Sequence, residues 1–248
     1  MRSKSSKNIR SKNARPKIKT GKLIQKTSTP FKYTSMKEIG AGANATVYLL
    51  CNAKHECRVR KVMSLFPGTV KIFEHEIAMH KKFEQAGLAP KLYRYGRYVE
   101  NGDKYGFIEM DLVSGTFYDL LKAHQSPKTL EWIVSSVNKI IDQLCEHRLI
   151  HGDAHLENFA YNNLPNGERE ALLIDFGRSC CIQEIKCNKR LEYQMLLTNL
   201  PYSHDITKNN LEYIERRFTD IYNRLDMDSS MDDYNQRFRL DLEPLRAP

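Results

Sequence analysis

Three side chains in the middle of the chain have the types and spacing to work on a phosphate. Asp153 and Asn158 lie in Ile150 to Phe159, which reads I-H-G-D-A-H-L-E-N-F, and Asp175 lies in Leu172 to Gly177, L-L-I-D-F-G. Each stretch follows an apolar run, the first with the pattern of a helix and the second with that of a strand. Two carboxylates and one amide can therefore converge on a single phosphate-bound metal. Such a constellation suits phosphoryl transfer, where catalysis is mostly positioning and neutralisation of charge.

The elements upstream carry three more parts. Gly40 to Ala45, G-A-G-A-N-A, separates the strand-like runs F-K-Y-T-S-M-K-E-I and T-V-Y-L-L-C. A loop of small residues lets backbone N–H groups approach a phosphate, although alone it is far more often a plain hairpin turn. The next strand, Cys57 to Met63, alternates so that Lys61 shares a face with Cys57 and Val59, and Arg58 with Arg60. A lone strand lysine ordinarily snorkels to water. Thr69 to Gln85 has helical periodicity, with Ile72, Phe73, Met79 and Phe83 as its apolar stripe and Glu76 inside that stripe. A carboxylate facing a core needs a partner. Lys61 is the natural one, while Glu74 falls off the stripe and faces solvent.

Two further strands, Lys91 to Val99 and Lys104 to Leu112, are joined by E-N-G-D, a tight-turn sequence. Ser114 and Gly115 then mark a crossover to a mainly helical half. The pattern predicts a short helix over Thr116 to His124 and a longer one over Thr129 to His147, with Leu130, Ile133, Val137, Ile140, Ile141 and Leu144 on its buried face. Trp132 on the longer helix is expected in the core rather than as a ligand platform. Helical patterns recur near Lys189 to Asn199 and over Asn209 to Leu225, where Leu211, Ile214, Phe218, Ile221 and Leu225 form the stripe.

A chain of 248 residues can bury a core of ordinary size. No apolar run approaches a membrane span, and the basic N-terminus lacks the apolar segment of a secretory signal. The expected location is intracellular, in cytoplasm or nucleus, with no membrane partner. Cysteines at 51, 57, 145, 180, 181 and 187 show no regular framework, so reduced thiols are expected. Cys180, Cys181 and Cys187 lack the partners of a tetrahedral zinc site. The net charge of +9 belongs to a tail: residues 1–30 hold ten of the 39 Lys and Arg and no acid, leaving 29 bases against 30 acids in the body. That tail is expected to be disordered. It is either a solvated arm or a contact for nucleic acid or another acidic partner, or a nuclear-import signal. The acidic residues Asp226, Asp228, Asp232 and Asp233 are a possible internal partner for it, though acidic turns are usually just solvated.

Taken in order, the small-residue loop, strand Lys, helix Glu, crossover, long helix, H-x-D-x-x-x-x-N and D-F-G resemble the protein kinase superfamily over nearly all of residues 31–180. H-x-D-x-x-x-x-N alone is not that specific. The resemblance implies an α+β, two-lobed kinase-like fold. Residues 31–113 would form a small antiparallel β lobe with one helix that binds nucleotide, and 114–248 a reduced, mainly helical lobe with the catalytic loop and metal site. It implies ATP and Mg²⁺ as cofactors and a protein substrate. Asp153 would take or orient the acceptor hydroxyl proton, Asn158 and Asp175 would hold Mg²⁺, and Lys61, steadied by Glu76, would grip the α and β phosphates. Ile39, Gly40, Gly42, Ala43, Asn44 and Ala45 would form the phosphate loop. Val47 and Val59 would cover the purine, Met110 would sit beside it as gatekeeper, and backbone groups around Asp111 and Val113 would bind the adenine edge.

The chain departs from the usual kinase pattern in four places. Ala45 replaces a third loop glycine, at some cost in backbone freedom. Gly152 stands where an Arg usually follows the catalytic-loop His, so a pocket reading a phosphorylated activation loop is expected to be missing. His155 replaces a Lys that marks many Ser/Thr kinases and can be uncharged at neutral pH. No A-P-E follows D-F-G-R-S, and only about 70 residues remain. So compact a form is similar to the small kinase of the KEOPS complex, the RIO kinases and the kinases of large DNA viruses; a viral member would act in the host cell or virion. The resemblance implies a Ser/Thr-directed protein kinase that needs no activation-loop phosphorylation. Two other readings stay open: a small-molecule phosphotransferase similar to aminoglycoside or choline kinases, which share H-G-D followed by a His, and a nucleotide-binding pseudokinase scaffold.

Overall fold

The β-branched and aromatic runs between Ser35 and Asp111 form a five-stranded antiparallel sheet in the order β1-β2-β3-β5-β4. The computed structural model describes residues 31–42, 45–123, 126–182, 189–200 and 206–225. Outside the described residues lie the basic tail 1–30, the loop residues Ala43 and Asn44, His124, Cys187 and the acidic run Asp226, Asp228, Asp232 and Asp233. Strands β1 (Ser35–Ala41), β2 (Ala45–Cys51) and β3 (Cys57–Ser64) lead into helix α1 (Thr69–Gln85). Strands β4 (Leu92–Glu100) and β5 (Asp103–Asp111) follow, joined by Asn101 and Gly102 at φ 52° and 91°. Both central residues of such a turn need positive φ, which Asn-Gly tolerates best.

Beyond Asp111 the chain is mainly helical. It runs through β6 (Gly115–Thr116), α2 (Phe117–Ala123), α3 (Pro127–Glu146), β7 (Leu149–Ile150), β8 (Phe159–Asn163), β9 (Arg169–Leu173), β10 (Cys180–Cys181), α4 (Lys189–Thr198) and α5 (Lys208–Tyr222). Ser126 caps α3, its hydroxyl accepting from the Thr129 N–H at 3.2 Å, with Pro127 opening the helix. Two small antiparallel sheets, β6-β8-β9 and β7-β10, flank the turns that carry Asp153 and Asp175. Among the described residues no helix is long and apolar enough to cross a membrane. The class is α+β, as the sequence pattern indicated.

Two apolar clusters hold these parts. Met63, Leu65, Phe73, Ile77, Leu92, Tyr95 and Ile108 pack between the sheet and α1. A larger cluster surrounds α3 and takes Met79 and Phe83 from the same α1. Helix α1 therefore belongs to both. Its stripe is close to the expected one, except that Ile77 is buried where Ile72 is only half-buried. Glu74, off the stripe, is exposed and ion-paired with Arg97.

The cysteine expectation is overturned at one hairpin. Cys51 and Cys57 are cross-strand neighbours at the turn end of β2 and β3, with Cα atoms 4.1 Å apart, and form a disulfide. The hairpin register brings the two thiols together with no wider framework. Cys145 is also disulfide-bonded, whereas Cys180 and Cys181 are reduced.

Gly106 on β5 is required by close approach: a Cβ there would lie 2.7–2.8 Å from three carbons of the Phe73 ring. Gly106→Ala is expected to destabilise the fold by about 1–3 kcal/mol through overpacking. The readout is a lower denaturant midpoint at unchanged m value, partly restored by adding Phe73→Leu. An unchanged midpoint for Gly106→Ala would show that Phe73 can move aside.

Candidate active site

Strand register alone assembles one wall of the site. Val47 pairs with Lys61 across β2 and β3, and Val59 pairs with Met110 across β3 and β5. Lys61 and Val59 are two residues apart, so all four side chains share a face. Val47, Val59 and Met110 are half-buried there, leaving an apolar surface beside an ammonium. Arg58 and Arg60 occupy the opposite face, where Arg60 bonds the fully buried Glu109 at 3.0 Å. Ile39 falls at the irregularity between Glu38 and Gly40 in β1 and is 47% exposed. Gly40 pairs with Val47, and the Gly42 N–H closes on the Ala45 carbonyl at 2.8 Å. The Asp111 N–H is taken by the Lys91 carbonyl at 3.0 Å. Val113 lies past the end of β5, where the ladder no longer claims its backbone.

The Lys61 ammonium bridges two carboxylates that come from different elements. Nζ donates to Glu76 Oε1 at 2.7 Å and to Asp175 Oδ1 at 2.9 Å. Glu76 is 3% exposed, on the inward stripe of α1, and Asp175 lies in the turn after β9. Burial pushes the Lys61 pKa down, but the two carboxylates and their hydrogen bonds outweigh it and hold it above the ordinary value. Burial pushes Asp175 up. Lys61, His151 and the Gly177 N–H together bring it below the ordinary carboxylate range. The Lys61–Asp175 contact is thus ionised throughout the neutral range.

Asp175 adopts φ 64°, a left-handed conformation that few residues other than Gly, Asn and Asp accept readily. The turn sends neighbouring side chains opposite ways. Phe176, 1% exposed, packs against Phe83 at 4.6 Å, His80 at 5.0 Å and His151 at 5.8 Å between ring centroids. An aromatic anchor in the core therefore fixes the carboxylate before it.

The loop after β7 is held from below. His151 is fully buried and its Nε2 lies 3.0 Å from the Ile174 carbonyl, so Nε2 carries the proton. Burial lowers its pKa and keeps it neutral. Gly152 follows at φ 76°, so glycine at this position answers a backbone requirement; any side chain would be strained. Asn158 is buried, and its amide nitrogen donates to the Asp153 carbonyl at 2.9 Å and to His155 Nε2 at 2.9 Å. An amide nitrogen only donates, so Nε2 of His155 is the acceptor in this contact. Asp153 stays accessible, with Oδ1 3.5 Å from Arg178 Nη1 and Oδ2 3.8 Å from His155 Nε2.

These residues suit a divalent cation shared with a ligand. The contacts of Asn158 leave its carbonyl oxygen available, and Asp175 has a second carboxylate oxygen beyond the one on Lys61. Two oxygen donors completed by phosphate and water are the usual surroundings of Mg²⁺. Among the described residues no group of three or more His, Cys, Asp or Glu could hold a metal by itself.

Three further residues support the site and were not singled out from the sequence. Glu192, on the inward face of α4 and 2% exposed, accepts from the His151 N–H at 2.7 Å. Ser179, fully buried, donates to the His151 carbonyl at 2.8 Å, and its own carbonyl lies 2.8 Å from Nε2 of His75. Ser179 thus ties the catalytic loop to α1 one residue before Glu76. The signal for Glu192 was readable, since an acid among Leu191, Tyr193, Met195 and Leu196 breaks an apolar stripe as Glu76 does. Ser179 and His75 left no comparable mark. Compared with known proteins, the chain matches no family model and no curated protein.

Burial raises the Glu192 pKa to about 7, opposed by the His151 and Gly152 N–H groups. In the unfolded chain a glutamate titrates near 4.3. Between those pH values the folded form binds more protons, so stability falls as pH rises through the window, by about 4 kcal/mol at most. Glu192→Gln keeps an acceptor for His151 and removes the titration. Its Tm is expected to gain on the wild type from pH 4.5 to 7.5; a constant difference across that range would assign the titration to another group.

Proposed function

We propose that the chain is an ATP-dependent protein kinase that transfers the γ-phosphoryl of MgATP to a Ser or Thr hydroxyl without prior activation-loop phosphorylation. One observation carries the reading: Lys61 bridges Glu76 and Asp175 while Asn158 is locked onto the Asp153 loop. Four motifs far apart in sequence supply these residues, and a phosphoryl-transfer site needs all of them within one cleft. In this reading residues 31–113 form the nucleotide-binding lobe and 114–248 a reduced helical lobe.

The purine lies against Val47 and Val59 beside Met110, with its edge toward the backbone at Asp111 and Val113. Ile39, Gly40, Gly42, Ala43, Asn44 and Ala45 cover the phosphates. An ammonium has three donors, of which Glu76 and Asp175 occupy two, so Lys61 keeps one for an α or β phosphate oxygen. Mg²⁺, held by Asn158 and Asp175, supplies neutralisation of phosphate charge. Asp153 accepts or orients the proton of the acceptor hydroxyl. Arg178, 3.5 Å from Asp153, adds a positive charge beside it. Independence from activation-loop phosphorylation follows from Gly152, which cannot read a phosphate, and from Ser179 and Glu192, which fix the loop with neutral and carboxylate contacts. The basic tail 1–30 is assigned to a nucleic acid or other acidic partner, and the protein to the interior of a cell.

The test is transfer of labelled phosphate from ATP to basic protein, acidic protein and aminoglycoside acceptors. Transfer to protein is expected, with Asp153→Ala lowering it by at least a thousandfold while nucleotide affinity changes less than about threefold. Transfer only to the aminoglycoside would identify a small-molecule phosphotransferase. ATP binding without transfer to any acceptor would identify a scaffold.

A further inference from the structure

A second cavity lies at the far end of β8 from the catalytic loop. It has a volume of about 590 Å³ and is lined by Lys128, Thr129 and Trp132 of α3 and by Asn163, Glu168 and Arg169 of the β8–β9 hairpin. Trp132 does not disappear into the core as its sequence context suggests. It is half-buried, with Phe117 on its inner side at 5.1 Å between ring centroids and the Arg169 guanidinium 5.6 Å from its ring. Tyr161 meets the indole at 6.3 Å and also lies 5.7 Å from Arg169. Among the described residues neither Lys128 nor Arg169 has a carboxylate partner, whereas Glu168 on the rim is engaged by Asn166 at 2.9 Å.

We propose that this cavity docks an acidic peptide segment of the protein substrate, with carboxylates at Lys128 and Arg169 and an apolar or aromatic side chain on Trp132. The inference takes its substrate class from the kinase reading above. Charge selects the partner. Beside the indole, two cations with no carboxylate partner among the described residues outweigh the one lining carboxylate, Glu168, and match a carboxylate and an apolar side chain, whereas a nucleic-acid backbone needs a longer run of cations to displace its counterions. An arginine already lying on an aromatic face is pre-organised and weakly hydrated, so it gives up little on meeting a carboxylate. Position supports the same assignment. Strand β8 spans the five residues Phe159–Asn163, roughly 17 Å of extended chain. A docked acidic segment therefore sits at least about five residues from the hydroxyl presented to Asp153.

Trp132 is the one tryptophan of the chain, so intrinsic fluorescence reports on this cavity without a label. The full-length protein would be titrated with a Glu-rich peptide carrying one Phe, with the same peptide in which Gln replaces Glu, and with a single-stranded oligonucleotide. A saturable change is expected with the Glu peptide alone, weakened at least tenfold in the double variant Lys128→Glu, Arg169→Glu. Transfer to a short acceptor lacking an acidic segment should be unchanged in that variant, and KM for an acceptor that carries one should rise. The proposal is overturned if the Glu peptide leaves Trp132 unaffected, if its affinity survives both substitutions, or if the oligonucleotide alone binds. Binding requires no catalysis, so a wild-type protein that transfers phosphate to protein but does not bind the Glu peptide overturns the docking site only. Docking with no transfer to any protein overturns the kinase reading instead.

Discussion

The arrangement depends on one ammonium shared between two carboxylates that no local structure brings together. Lys61 comes from the middle of a sheet, Glu76 from a helix and Asp175 from a turn 114 positions later in sequence. Each charge would be costly alone, because burial without a partner disfavours the ionised form. Glu76 is the most exacting of the three, being nearly inaccessible and lying where α1 passes from one apolar cluster into the other. Glu76 lies on the same inward stripe, between Phe73 and Ile77 of one cluster and just before Met79 of the other. The packing that stabilises α1 therefore also places the partner of Lys61, and fold and site are determined by the same contacts.

A second set of interactions secures the loop that carries Asp153. The backbone at His151 is gripped from both sides, by Glu192 at its N–H and by Ser179 at its carbonyl, while the ring reaches the carbonyl of Ile174. The rings of His80, Phe83, His151 and Phe176 fill the space between α1 and the two turns. Moving α1 would disturb the His75–Ser179 contact, and moving Ser179 would free the loop that carries Asp153. The three elements are thus coupled by direct contacts, so the Asp153 loop, the Ser179 segment and α1 hold one another in place.

Much of this was legible because alternation and helical periodicity are local. The pairing of Lys61 with Glu76 followed from two inward faces and the cost of an unpaired buried carboxylate, and the Asn-Gly hairpin from its turn chemistry. Less was legible where the cause is tertiary. The Cys51–Cys57 disulfide depends on register across a hairpin, and the regular-framework criterion passed over a pair closed by one turn. Ser179 is buried because β10 pairs with β7, which two-residue strands do not announce. Gly152 read as a missing arginine, but its φ of 76° shows a backbone reason for glycine that composition does not carry. Trp132 was expected in the core from its helix alone; its outer face is set by the β8–β9 hairpin, which contributes Arg169.

The two contacts of Lys61 are not equal. Glu76 and Asp175 both oppose the Lys61 charge, and the ammonium they orient retains a third donor. Asp175 is the adaptable partner: its side chain is 50% exposed against 4% for Glu76. Redirecting a half-exposed carboxylate from an ammonium to a metal costs little, since water screens the contact it leaves. Removing Glu76 from Lys61 would strand a buried charge and cost several kcal/mol, roughly 3–5 by comparison with other broken buried pairs. The asymmetry assigns the roles by magnitude. Lys61–Glu76 is the contact that costs more to break, and Lys61–Asp175 the one that costs less.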